Sequence, residues 1–128
     1  MHLDKYAVYA PTVLRVALSL VFLWFGTQQL MAPEDWIGFL PQWALGFPFD
    51  DAETFVMLNG WMEVVFGAMM LIGFATRFSA LVLGGHLLGI AVTAGGAIGV
   101  RDFGLAMATL SMVIANPGVH SLDARMKK

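Results

Sequence analysis

The apolar positions of this chain fall into four runs of near-spanning length, about 20 residues being what a helix needs to cross the hydrocarbon of a bilayer. They cover roughly 11–31, 54–74, 77–96 and 102–117. Pro11 suits a first helical turn. The tight Ala75–Thr76 connection separates the second run from the third, and Pro117–Gly118 stops the fourth. The pattern predicts an all-α fold: one integral membrane domain over 1–128, a four-helix bundle running up-down-up-down. Only the connection over 32–53 is long. It carries Trp36, Phe39, Trp43, Phe47 and Phe49, punctuated by Pro33, Pro41 and Pro48. Aromatic rings concentrate at the headgroup level of membranes, so this loop is expected to rest in the interface. The other reading is a lid or a docking surface for a partner.

Composition agrees with the pattern and removes several functions. Of 128 residues, 59% are hydrophobic and 12% charged, with mean hydropathy +0.75; soluble domains carry about a quarter charged residues. So small a globule could not bury that much apolar surface, and a lipid bilayer is the expected partner. There is no cysteine, hence no disulfide, dithiol motif, thiolate metal site or c-type haem attachment. The net charge of −2 leaves no basic footprint for nucleic acid. With four spans, Lys5, Arg15, Arg77, Arg125, Lys127 and Lys128 share one side. Arg101 falls on the other, with Glu34, Asp35, Asp50, Asp51 and Glu53. This asymmetry predicts cytoplasmic termini. Lys5 ahead of an apolar stretch has the look of a signal peptide, but the first run is read as a helix of the mature protein.

Ionisable groups inside a bilayer are costly, which makes each a candidate site. Glu63 and His86 lie near the centres of the second and third runs. Helical spacing aligns Arg15, Ser19, Phe22, Gly26 and Gln29 on the first helix, and Asn59, Glu63 and Gly67 on the second. On the third it aligns His86, Gly89 and Thr93, and on the fourth Asp102, Thr109 and Asn116. Small and polar stripes of this kind face other helices. Arg15 and Glu63 are expected to meet as a buried ion pair fixing helix register, unless Arg15 snorkels to the headgroups. Glu63 handling protons or substrate is the functional alternative. Together Glu63, His86, Arg15 and Asn59 form a candidate midplane site, with Gln29, Asp102, Thr109 and Asn116 as a secondary polar face. His86 suits an interhelical hydrogen bond or a quinone headgroup bordered by Glu63, Phe22 and Trp24. Haem is disfavoured, because His120 and His2 lie outside the spans and give no second axial histidine. Copper is disfavoured too: the nine methionines form no Met-x-x-Met cluster beside a histidine, and methionine is an ordinary gap-filler.

Several segments, in order, resemble the DoxX family. They are Arg15 followed by LVFLWFG (20–26) and Gln29–Leu30, Gly60–Trp61–Met62–Glu63 with Gly67, and the turn GFATR (73–77). HLLG (86–89), VRDFGLA (100–106) and NPGVHSLD (116–123) complete the series. The resemblance implies a four-helix protein of the bacterial inner membrane. Family members include a small subunit of an archaeal terminal quinol oxidase, proteins linked to thiosulfate:quinone oxidoreduction, and membrane partners of redox-protective enzymes. Many relatives carry lysine where this chain has Gln29, and the cysteine pair of related redox-associated proteins is absent. With no metal- or flavin-binding motif, the preferred reading is an accessory or structural subunit of a membrane redox or respiratory complex, or of a homo-oligomer. The alternative is a quinone-linked oxidoreductase subunit or small-molecule carrier with its site at Glu63 and His86.

Overall fold

A computed structural model describes residues 2–46, 48 and 51–127, and all regular structure among them is helical. Four helices are long and apolar enough to cross a membrane: α1 (Ala10–Met31), α2 (Ala52–Ile72), α3 (Thr76–Ala94) and α4 (Gly96–Ile114). A 3-10 turn over Asp4–Tyr9 leads into α1, and a short helix α5 (Leu122–Met126) ends the described chain. Large apolar side chains such as Leu20, Trp24, Leu58, Trp61, Leu81 and Val100 are exposed around the bundle. A bilayer covers such surface; water would not tolerate it.

Local chemistry sets the helix ends. Asp51 caps α2, its Oδ1 accepting from the Glu53 amide at 3.2 Å and its Oδ2 from Thr54 Oγ1 at 2.7 Å. The helix therefore begins two residues before the expected 54. α2 ends at Gly73, which adopts the left-handed φ of 73° that glycine accepts without penalty. α4 starts at Gly96, six residues ahead of the expected 102. The chain reverses between α3 and α4 at Gly95 and Gly96, with φ of 61° and 55°. Arg101 and Asp102 consequently lie inside α4 rather than at its mouth.

α1 packs most extensively on α2, and α3 on α4. Both seams use glycine for close approach. Gly26 faces the Gly60 backbone, and Gly84 lies beneath Leu110. Leu18, Phe22, Met70, Ala80, Leu83 and Met112 form the apolar core between the pairs. Arg15, Ser19, Phe22, Gly26 and Gln29 are all buried, as their spacing on α1 predicts. The α3 stripe is a correction. The buried face of α3 is Thr76, Ser79, Ala80, Leu83, Gly84 and Ala91, whereas Gly89 and Thr93 are exposed. Thr93 Oγ1 donates to the Gly89 and Ile90 carbonyls of its own helix.

The long loop folds back on the helices. Within 3-10 turns Pro33–Phe39 and Gln42–Leu45, Trp36 stands edge-on to Phe25 with centroids 5.7 Å apart, and Trp43 edge-on to Phe55 at 6.2 Å. Trp36 also lies 5.8 Å from Phe39. Phe39 and Trp43 nevertheless remain exposed. Phe47, Phe49 and Asp50 of this loop lie outside the described residues, as does Lys128 of the tail.

At the opposite end the tail locks the bundle. Gly118 and Ser121 lie so close to Thr12 and Gly73 that a Cβ on either glycine would clash at 2.3 Å. The Asp123 amide donates to the Gly73 carbonyl at 2.9 Å. Its carboxylate in turn accepts from the Ala75 and Thr76 amides at 2.9 and 2.8 Å, capping α3 from a distant part of the chain. Burial pushes the Asp123 pKa up, but these backbone hydrogen bonds and nearby Lys127 together outweigh it, holding the acid below its ordinary value. The folded pKa thus lies below the unfolded one. The carboxylate's contribution is complete above the unfolded carboxylate pKa and fades as pH falls through the lowered folded value. Thermal melts in detergent from pH 7 to pH 3 should show a stability loss in wild type that Asp123→Asn, already weakened at neutral pH, lacks. Parallel pH profiles for the two proteins would contradict this.

Candidate functional site

One buried carboxylate organises the middle of the bundle. Glu63, on α2, is held through Oε2 by Gln29 Nε2 of α1 at 3.0 Å. Asn59, one turn earlier on α2, donates to Gln29 Oε1 at 2.6 Å and reaches Glu63 Oε1 at 3.5 Å. His86 of α3 brings Nε2 to 3.5 Å from the same Oε1, within ion-pair range but too far for a directed hydrogen bond. That nitrogen is buried and has no hydrogen-bond partner. The His86 side chain as a whole is 23% exposed, so the imidazole stands at the edge of the bundle, its inner edge against the acid.

This arrangement unites three of the four expected midplane residues and draws in Gln29 from the expected secondary face. Arg15 is a correction: it does not touch Glu63. Antiparallel pairing sets Gly26 against Gly60 and Phe22 against Gly67, which brings Arg15 level with Met70 and Leu71. Glu63 lies seven residues back from Met70, or roughly 10 Å along α2. Arg15 instead donates from Nη1 to the Met70 carbonyl at 2.9 Å and to that of Leu71. Nε donates to Pro117 O at 3.0 Å and Nη2 to His120 O at 3.3 Å. A cation on the carbonyls that end a helix is favourable both as charge and as hydrogen-bond donor. Arg15 is therefore a structural clamp between α1, the end of α2 and the tail.

The remaining secondary face does not converge. Buried Asp102 accepts from Arg101 Nε at 2.8 Å. Thr109 Oγ1 donates to the Leu105 carbonyl on its own helix, and exposed Asn116 accepts from the Gly118 amide in a turn. Trp24, expected to border the site, is exposed on α1 and edge-on to Phe25, while Phe22 lies in the core. Sequence reasoning gave no role to Gly73, Ser121 or Asp123, although GFATR and NPGVHSLD contain them. The available signal was the stop at Pro117–Gly118 followed by Ser121, whose hydroxyl caps α5 by accepting from the Ala124 amide.

Chemically, the cluster is an acid fixed by two neutral amides with an imidazole as its nearest titratable neighbour. No lysine or arginine among the described residues pairs with Glu63. Gln29 contributes a hydrogen bond rather than a charge. The carboxylate Oε1 and the imidazole Nε2 stand 3.5 Å apart with no hydrogen bond between them.

Comparison with known proteins gives the chain's kin. The family model described as DoxX matches residues 10–96, from the start of α1 to the first residue of α4. An uncharacterized membrane protein of Mycobacterium tuberculosis is 35% identical over 138 aligned positions, which cover 92% of this chain and 83% of that protein. No solved structure matches.

Proposed function

We propose that this chain, which belongs to the DoxX family of membrane proteins, works as an accessory subunit of a membrane redox complex and offers a quinone-type headgroup a proton-exchanging contact at Glu63 and His86. The observation that carries this reading is His86 Nε2, buried and unpartnered 3.5 Å from a carboxylate. Buried polar groups without partners are uncommon and point to a missing ligand or to strain. Gln29 and Asn59 fix the carboxylate, so a headgroup bound at His86 meets an acid already held in place. The partly exposed imidazole meets a headgroup at the edge of the bundle, where an apolar tail stays in lipid. Exposed Phe39 and Trp43 offer aromatic surface to a partner subunit.

Titrating the purified protein with a short-chain quinone, followed by tryptophan quenching, tests the site. His86→Ala should weaken binding about tenfold, equivalent to about 1.4 kcal/mol. Identical curves for wild type and variant would remove the headgroup site.

The same reading places the protein in the bacterial inner membrane with both termini cytoplasmic. Lys5, Arg15, Arg77, Arg125 and Lys127 all gather at the termini end of the bundle, which supports that orientation. An impermeant thiol reagent on whole cells should label Glu34→Cys, and Lys127→Cys only after lysis, with no native cysteine as background. The opposite pattern would invert the protein.

A further inference from the structure

Where α3 begins and α4 ends, an open groove of about 470 Å³ is lined by Arg77, Ile114, Asn116, Pro117, Ala124 and Lys127. Arg77 is in the first turn of α3 and Ile114 is the last residue of α4. The groove therefore lies at the level where both helices leave the apolar region of the membrane. Its two sides differ in character. Ile114 is 85% exposed, so the membrane-facing side is aliphatic. Arg77, Lys127 and Asn116 form the polar side.

The polar side is free to bind. Neither Arg77 nor Lys127 is in an ion pair among the described residues. Asp123 feels the charge of Lys127, but its carboxylate oxygens are already held by the Ala75 and Thr76 amides. Asn116 spends its oxygen on the Gly118 amide, which leaves its NH₂ group as a donor. Two cations and an amide donor beside an apolar wall match a phosphate joined to an acyl chain.

We propose that this groove binds an anionic phospholipid of the leaflet facing the termini end. Arg77 engages the phosphodiester oxygens with its planar guanidinium, and Lys127 adds a compact positive charge. The Asn116 amide donates a further hydrogen bond, and an acyl chain runs up Ile114. The aliphatic side and the membrane level favour a lipid phosphate over a free one. Basic pockets between helix ends recognise anionic headgroups in this manner.

The test offers delipidated protein in detergent an equal mixture of phosphatidylglycerol and phosphatidylcholine, and weighs the retained lipid by native mass spectrometry. Wild type should retain the anionic lipid on the order of tenfold over the zwitterionic one. Arg77→Gln with Lys127→Gln should bring the ratio close to one, while Arg101→Gln, at the other end of the bundle, should leave it unchanged. In the unaltered protein, about 1 M salt should erase most of the preference by screening, so the test survives poor folding of the double variant. Equal retention by wild type, a preference that persists at high salt or in a folded double variant, or one lost in Arg101→Gln would overturn the proposal. Displacement of the lipid by millimolar inorganic phosphate would likewise overturn it in favour of a free-anion site.

Discussion

Arg15→Met should cost at least about 3 kcal/mol of stability in detergent, because it strips one donor group from four carbonyls at once. Arg15 is 1% exposed and bonds to Met70, Leu71, Pro117 and His120. Methionine fills much of the volume but donates nothing, and each buried acceptor left unpaired costs about 1–3 kcal/mol. Arg15→Lys keeps the charge without the planar fork, cannot serve all four oxygens, and should fall between the two. Thermal unfolding of purified protein measures this, and a loss below about 1 kcal/mol for Arg15→Met would contradict the clamp. The same series settles whether Arg15 and Glu63 act together. They share no contact, so Arg15→Met and Glu63→Leu should add within about 0.5 kcal/mol in the double variant. A rescue would restore the ion pair that the sequence suggested and the geometry replaces.

That replacement marks where the sequence stops being informative. Helix number, the buried face of α1 and the burial of Glu63 follow from apolar run length and from spacing along single helices. Pairing across helices does not, because it depends on the vertical offset between neighbours. Opposite charge and inward-facing stripes suggested that Arg15 and Glu63 meet. The actual offset, set by Gly26 against Gly60, puts Gln29 on Glu63 and Arg15 two turns lower. Gly95–Gly96 illustrates a second limit. A glycine pair reads equally as the end of an apolar run or as a reversal, and only the reversal draws Arg101 and Asp102 into α4. His86 shows a third: periodicity gave it a face shared with Gly89 and Thr93, but the α3 face that packs inward is centred on Leu83 and Gly84. His86 reaches Glu63 from the flank. The tail was legible only as a stop, since Asp123 caps a helix that begins 47 residues earlier.

Gly60→Val should break the same offset and, with it, the candidate site. A Cβ at Gly60 would stand 2.9 Å from the Gly26 carbonyl oxygen and 3.1 Å from Gln29 Cβ and Leu30 Cγ. The reciprocal Cβ at Gly26 would meet the Gly60 oxygen at 2.8 Å. The obstacle on each side is backbone, which cannot rotate away as a side-chain tip can. Restoring ordinary contact at about 3.5–4.0 Å requires α1 and α2 to part by roughly an ångström. Overpacking of this kind costs about 1–3 kcal/mol. Close backbone approach is also what holds helices together in lipid, where apolar burial gives little advantage. Parting the helices stretches the 3.0 Å bond from Gln29 to Glu63 beyond hydrogen-bond range, so the carboxylate loses its fixed position beside His86. Gly60→Val should therefore lower the unfolding midpoint and weaken quinone-induced tryptophan quenching together. Gly104→Ala, where an added Cβ meets nothing within 4 Å, should change neither. Equal melts for Gly60→Val and Gly104→Ala would mean that the contact between α1 and α2 is looser than its geometry, and that something other than Gly26 and Gly60 positions Glu63.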